Sequence, residues 1–384
     1  MKAIPYGRQD ISQADIAAVA AVLQSDYLTT GPTVKAFEDK FAEYVGVKYA
    51  VAVSNATVGL HLCTLLMGVD EKSKVITTPI TFAASANCVR YCDGEVVFAD
   101  IDPATILIDL NKVEQMLQAA PAGTYQGIIP VDFAGYPVDV ERLRQIADEH
   151  GLWIIEDACH APGGYFTDSK GQKQRCGNGQ FSDLTVFSFH PVKHIACGEG
   201  GMITTNDEKL YKQLMRLRTH GITRDKDLLQ EDHGGWYYEM HELGFNYRIT
   251  DIQAALGVSQ LDRAGEGIER RRFLARRYDE AFQNTAIKTI EVPADTGHAF
   301  HLYVVQVADR KGLYDQLRTL QIYAQIHYIP VPSLPYYREL GYQAADYPAA
   351  SAYYEQCISL PMYPSLTDEE QDFVIEQVLA FSAK

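Results

Sequence analysis

The sequence predicts an α/β fold: a large domain with a mostly parallel seven-stranded sheet, then a smaller α+β C-terminal domain. Two observations carry this. From Tyr49 onward, short β-branched runs alternate with helical stretches, and the runs are continuously apolar, as strands covered on both faces are. Past about residue 257 the rhythm changes, and isolated strands mix with helices less regularly. A chain of 384 residues has the length for two domains at ~100–200 residues each. The boundary is placed at 257–270, giving domains 1–257 and 258–384.

The elements follow in order. Ser12, with Asp15 three residues on, opens a helix whose face is Ile16, Val19, Val22 and Leu23. Thr33 is the expected cap of a second helix carrying Val34, Phe37, Phe41 and Val45, with Gly46 as its stop. Strands are expected at 50–53, 74–77, 95–98, 127–131, 152–156, 185–189 and 202–205, with helices between most of them, such as 138–150, and another at 209–218. Residues 223–247 are polar, aromatic and irregular, which marks a functional loop or an oligomer contact. The remainder reads as a helical region to about Phe282, a strand at 302–307, a helix from Gly312, a strand near 323–327 and a closing helix after Thr367.

The net charge of −16 argues against nucleic acid or an anionic membrane as the main partner. No apolar run reaches the ~18 residues a membrane helix needs. The start, MKAIPYGRQD, has no apolar stretch behind Lys2, so a cytoplasmic protein without a signal peptide is expected. Seven scattered cysteines with no C-x-x-C pair read as reduced thiols, not as disulfides or a metal site.

Three stretches carry chemistry. Lys193 lies just past a strand among apolar and small residues, and desolvation there would lower its pKa and make it a nucleophile for a carbonyl. Most lysines are solvated, but the flanking SFH and GEGG are unlike a surface loop, since glycines admit close approach to a ligand. Asp157 ends an apolar strand, where ligands of open α/β sheets bind, although it reads equally as a helix cap. The two together fit pyridoxal phosphate, with lysine as the Schiff-base partner and aspartate on the pyridine nitrogen. Residues Ser54, Asn55, Ala56 and Thr57, between a strand and a helix, resemble an anion cup and equally any N-cap. Ser188 adds a hydroxyl to that cup, and Phe82 is either a ring cover or core.

These stretches, in order LTTGP (28–32), SNAT, TTPITF, EDACHA, FSFHPVK, GEGG and GFNYRITDIQAALG (244–257), resemble the DegT/DnrJ/EryC/StrS sugar aminotransferases. The likeness covers essentially the whole chain. FSFHPVK, HGITRD (220–225), WYYEM (236–240) and IHYIPV (326–331) are most similar to its pseudaminic acid branch. The resemblance implies fold-type I architecture and pyridoxal 5′-phosphate as cofactor. It implies that Lys193 binds the cofactor and Asp157 pairs with its ring nitrogen, that Phe82 covers the ring, and that His160 lies beside the phenolic oxygen. Ala56, Thr57 and Ser188 would hold the phosphate, and Asn246 would reach it from the other subunit of a homodimer. Tyr6, Asp26, Tyr27, Leu28, Thr29 and Asn55 would line the nucleotide-sugar site, with Gln325, Ile326, His327 and Tyr328.

The implied reaction transfers the amine of L-glutamate to C4 of UDP-2-acetamido-2,6-dideoxy-β-L-arabino-hex-4-ulose. Other nucleotide-linked 4-keto-6-deoxy sugars, dTDP-linked or the UDP-bacillosamine precursor, are the alternative acceptors, and a non-catalytic cofactor-binding regulator is the alternative class. Lys193 argues against the dehydratases of the family, which carry histidine there. Four positions depart from the common pattern: His194, Cys159, Val58 and Gly59. Arg224, Arg248 and Lys35 are candidates for the diphosphate, and His301, His327 and His220 are ambiguous, with His327 ranked first.

Overall fold

A computed structural model of the chain describes residues 3–382. Met1 and Lys2, part of the stretch read for a signal peptide, lie outside the described residues. The centre is a seven-stranded sheet ordered Tyr49–Val53, Gly201–Thr205, Leu184–Ser188, Trp153–Asp157, Gly127–Ile129, Lys74–Thr77 and Glu95–Phe98. Every pairing is parallel except the two made by Gly201–Thr205, which runs antiparallel to both neighbours. Leu184–Ser188 and Gly201–Thr205 are buried at every position, as two-sided coverage requires. All seven predicted strands are present, with ends shifted by a residue or two.

The first helix is Gln13–Leu23. Ser12 Oγ accepts the Asp15 N–H at 3.2 Å and Asp15 Oδ2 accepts the Ser12 N–H at 2.8 Å, the expected reciprocal cap. Burial alone would raise the Asp15 pKa, but hydrogen bonds from Ser12, Ser259, Arg263 and Gln260 outweigh it and hold the carboxyl at about 2. The second helix, Pro32–Val45, is capped differently from the expectation. Its N-cap is Gly31, Pro32 takes the first turn, and Thr33 lies inside the helix. The exposed amides go to a remote group: Asp251 accepts from Gly31 at 2.8 Å and from Thr33 at 2.9 Å. Gly46 ends this helix in a left-handed conformation (φ 84°), as predicted.

Glu38 on that helix and Arg218 form a buried ion pair at 2.6 Å. Both also bind Ala52: Glu38 accepts its N–H at 2.9 Å, and Arg218 donates to its carbonyl at 2.6 Å. The pair thereby ties helix Pro32–Val45 to the sheet-edge strand. The irregular stretch is gathered around one carboxylate. Glu239 accepts from the Gln230 and Glu231 amides, from Tyr237 and from His241, and the Gln230 amide leads the effects that pull its pKa to about 2.

Helices Asp251–Asp262 and Ala264–Phe282 lead into a three-stranded antiparallel sheet of Lys288–Thr289, Tyr303–Gln306 and Cys357–Leu360. Helices Arg310–Thr319 and Asp368–Ser382 pack there, around a core that includes Leu274, Val305, Leu313 and Val374. The strand expected near 323–327 is short: Ile322–Tyr323 pairs in parallel with Ile4–Pro5, which brings Ile4 into this C-terminal core. The chain then turns irregular, with Gln325 and Ser359 exchanging backbone bonds at 3.1 and 2.7 Å. All seven cysteines are free, and no described helix is long and apolar enough to cross a membrane.

Candidate active site

A cavity of about 850 Å³ opens at the carboxyl ends of the parallel strands, where an open α/β sheet places its ligands. Its walls come from both parts of the chain. Asn55, Ala56, Thr57, Phe82, Asp157, His160, Ser188 and Lys193 come from the sheet and its turns. Tyr6, His301, Gln325, Ile326, His327 and Tyr328 face them.

Helix Ala56–Leu66 begins at the cavity. Its cap Asn55 accepts the Val58 N–H at 3.0 Å, and among the described residues nothing accepts from Ala56 or Thr57. Those two N–H groups are left without an acceptor at the positive end of the helix, an arrangement that suits an anion. Gly201 keeps it close to the sheet, because a Cβ there would stand 2.7 Å from the Ala56 nitrogen. Buried Ser188 brings its hydroxyl to the same end.

Asp157 closes strand Trp153–Asp157 and is buried. Its Oδ1 accepts the Cys159 N–H at 3.1 Å, and Ser85 Oγ donates to its Oδ2 at 2.6 Å. With its one hydrogen committed, Ser85 receives the Thr81 hydroxyl at 2.7 Å. The carboxylate is thus oriented and keeps lone pairs for a cation in the cavity.

Burial pushes the Lys193 pKa down to about 8, with Asp157 and Cys159 partly opposing the fall. Its described hydrogen-bond partner is His301 Nε2, at 3.4 Å. Buried His160 accepts the Ala134 N–H at Nδ1 (3.2 Å), so Nε2 carries its proton and donates to the Tyr328 hydroxyl at 3.2 Å. Burial holds His160, His194 and His301 well below the ordinary imidazole pKa, with the charge of Lys193 or Arg271 adding to it. His327, lowered to about 3, is bonded to Ser359 at 2.8 Å. Phe82 is 61% exposed at the mouth, its ring 6.2 Å from that of Tyr328, so it is not a core residue.

Several expected residues lie elsewhere. Asp26, Tyr27, Leu28 and Thr29 are exposed and off this cavity, as is Asn246. Arg224, Arg248, Lys35 and His220 do not line it, and Lys35 pairs with Asp39. Sequence reasoning missed Ser85 and left His301 undecided. The only signal for His301 was a histidine just before a predicted strand.

The model of the DegT/DnrJ/EryC1/StrS aminotransferase family matches residues 9–379. The spore coat polysaccharide biosynthesis protein SpsC of Bacillus subtilis is 39% identical over 384 residues, covering 98% of this chain and 96% of SpsC. Among solved structures, Spr1654 of Streptococcus pneumoniae, described as a sugar aminotransferase and known in PMP- and PLP-forms, has a TM-score of 0.91. Its PMP-form is 31% identical, with 99% of each chain covered. Helicobacter pylori PseC, an aminotransferase involved in the biosynthesis of pseudoaminic acid, has a TM-score of 0.89 at 30% identity, with 100% of both chains covered. The chain belongs to the DegT/DnrJ/EryC1/StrS aminotransferase family.

Proposed function

We propose that the protein is a pyridoxal-phosphate-dependent aminotransferase that carries the amine of L-glutamate to C4 of a nucleotide-linked 4-keto-6-deoxy sugar. One observation carries the reading: Lys193 is a half-buried amine whose pKa desolvation depresses, on the wall of a cavity shared with the buried carboxylate of Asp157. The residues present fit the cofactor. Ala56, Thr57 and Ser188 would hold its phosphate, Asp157 its protonated ring nitrogen, and Lys193 would anchor it through Nζ. Phe82 and His160 would flank the ring. When bound, pyridoxal phosphate takes up the electron pair left behind as the donor's α-proton departs.

The chain's own groups do the rest. Neutral Lys193 Nζ takes that proton and later returns one at the sugar carbon. Asp157, fixed by Ser85 and the Cys159 amide, keeps a positive charge favourable opposite it. Tyr6, Asn55, Gln325, Ile326, His327 and Tyr328 would contact the sugar nucleotide. Asp26, Tyr27, Leu28, Thr29 and Asn246 would complete the site from the second subunit of a homodimer. Their exposure, and that of Trp236 at 75%, supports that assembly.

For the acceptor we propose UDP-2-acetamido-2,6-dideoxy-β-L-arabino-hex-4-ulose, giving UDP-4-amino-4,6-dideoxy-N-acetyl-β-L-altrosamine. The likeness to PseC and the stretches 236–240 and 326–331 support it. Another 4-keto sugar nucleotide is the second reading, favoured by the higher identity to SpsC. The test offers the loaded protein L-glutamate with the L-arabino and D-xylo keto isomers and follows product mass. Amination of the L-arabino isomer alone is expected. Equal or better use of the D-xylo isomer overturns the acceptor and leaves the aminotransferase standing.

A further inference from the structure

Lys193 has a neighbour to which the reaction above gives no role. His301 Nε2 lies 3.4 Å from Lys193 Nζ, and among the described residues no other group hydrogen-bonds that amine. The backbone carrying this imidazole is tied down, and the ring is packed against other imidazoles. Fully buried Arg271 donates from Nη1 to the carbonyls of Phe300, His301 and Met362 at 3.0, 3.3 and 2.9 Å, which pins the backbone on which His301 sits. The ring packs against His160 at 4.3 Å and His194 at 5.8 Å between centroids. Among the described residues His301 Nδ1 is buried without a partner, so the ring's one polar commitment there points at Lys193.

The groups facing this pair come from every surrounding segment. Asp157, Cys159 and His160 belong to the strand end, His194 to the lysine's own loop, Arg271 to helix Ala264–Phe282, and His327 to the segment after Ile322–Tyr323. Burial keeps the imidazoles neutral near pH 7, which leaves Asp157 to oppose the charges of Lys193 and Arg271.

We propose that His301 is a positioning residue for Lys193: its Nε2 takes a hydrogen bond from Nζ and fixes the direction in which the amine gives and receives protons. A partly desolvated ammonium with no such partner would be costlier, and its nitrogen would be free to swing away from the donor carbon. The inference rests on the aminotransferase reading, and its test separates the two.

His301→Gln keeps a polar atom near the position of Nε2, whereas His301→Asn is polar but too short to reach Nζ. In the cofactor-free full chain, Lys193 is labelled with acetic anhydride across pH 6–11 and its peptide is quantified by mass spectrometry. For the original chain a midpoint near about 8 is expected. His301→Asn should move it down by about one pH unit, the worth of one hydrogen bond to a charged group, and His301→Gln should not. With the cofactor added, the single-turnover half-reaction with L-glutamate should slow by about 10²-fold in His301→Asn and by under about threefold in His301→Gln. Unchanged midpoint and rate in His301→Asn would overturn the proposal, and so would equal impairment of both variants. A wild-type chain that labels as expected but never reacts with glutamate would instead overturn the aminotransferase reading.

Discussion

Arg218 and Lys193 are cations withdrawn from water beside the same sheet, the first buried and the second half-buried, yet their surroundings are opposite. Arg218 meets the Glu38 carboxylate at 2.6 Å and the Ala52 carbonyl at 2.6 Å, so its charge is matched, although its Nε has no partner among the described residues. Lys193 has one neutral imidazole at 3.4 Å, and its pKa falls to about 8. A matched buried charge ties elements together and is inert. A poorly matched one is destabilising, and for that reason it is available for proton and carbonyl chemistry.

Lys193→Met should give the largest effect on turnover, a loss of ~10⁴-fold or more, because it removes both the anchor for the cofactor and the base. Arg218→Met should leave kcat per folded molecule unchanged while costing about 3–5 kcal/mol of stability, since Glu38 is then buried alone. Denaturant melts with the activity of the folded fraction check both halves, and a large kcat loss in Arg218→Met would blur the contrast. Asp157→Asn should lower kcat by ~10²-fold with a smaller change in cofactor affinity, measured by steady-state kinetics beside a cofactor titration.

The smallest effect is the sharpest, because its sign is opposite to that of Arg218→Met. The folded pKa of Lys193 is lowered from 10.5 to about 8, so between those values the unfolded chain binds more protons and stability rises with pH. Below about pH 8 the full penalty applies. In the cofactor-free chain at pH 7, Lys193→Met should therefore stabilise by about 1–3 kcal/mol, and the gain should fade as pH approaches 10. A destabilised Lys193→Met would mean that the lysine is matched after all.

The same contrast divides what the sequence revealed from what it hid. The strands, Lys193, Asp157 and the turn at Asn55 were legible because each depends on local pattern: continuous apolar runs, and a charged residue among small ones at a strand end. Contacts between distant segments were not. Asp251 caps a helix 218 residues away, which displaced the expected Thr33 cap, and Ser85 reaches Asp157 across 72 residues. His301 meets Lys193 across 108 residues. Periodicity carries no information about which side chains meet across a fold. Asp26, Tyr27, Leu28, Thr29 and Asn246 lie off this chain's cavity, and their expected place came from the resemblance, not from any local pattern.

The most direct measurement of the central claim needs no sugar. The pyridoxal-phosphate-loaded protein is mixed with L-glutamate alone, and 2-oxoglutarate is quantified while the visible spectrum is followed. The account predicts stoichiometric 2-oxoglutarate with loss of the lysine-bound cofactor's absorbance, and neither in Lys193→Met. A wild-type protein that binds the cofactor but releases no 2-oxoglutarate, or a Lys193→Met protein that releases as much, would contradict it.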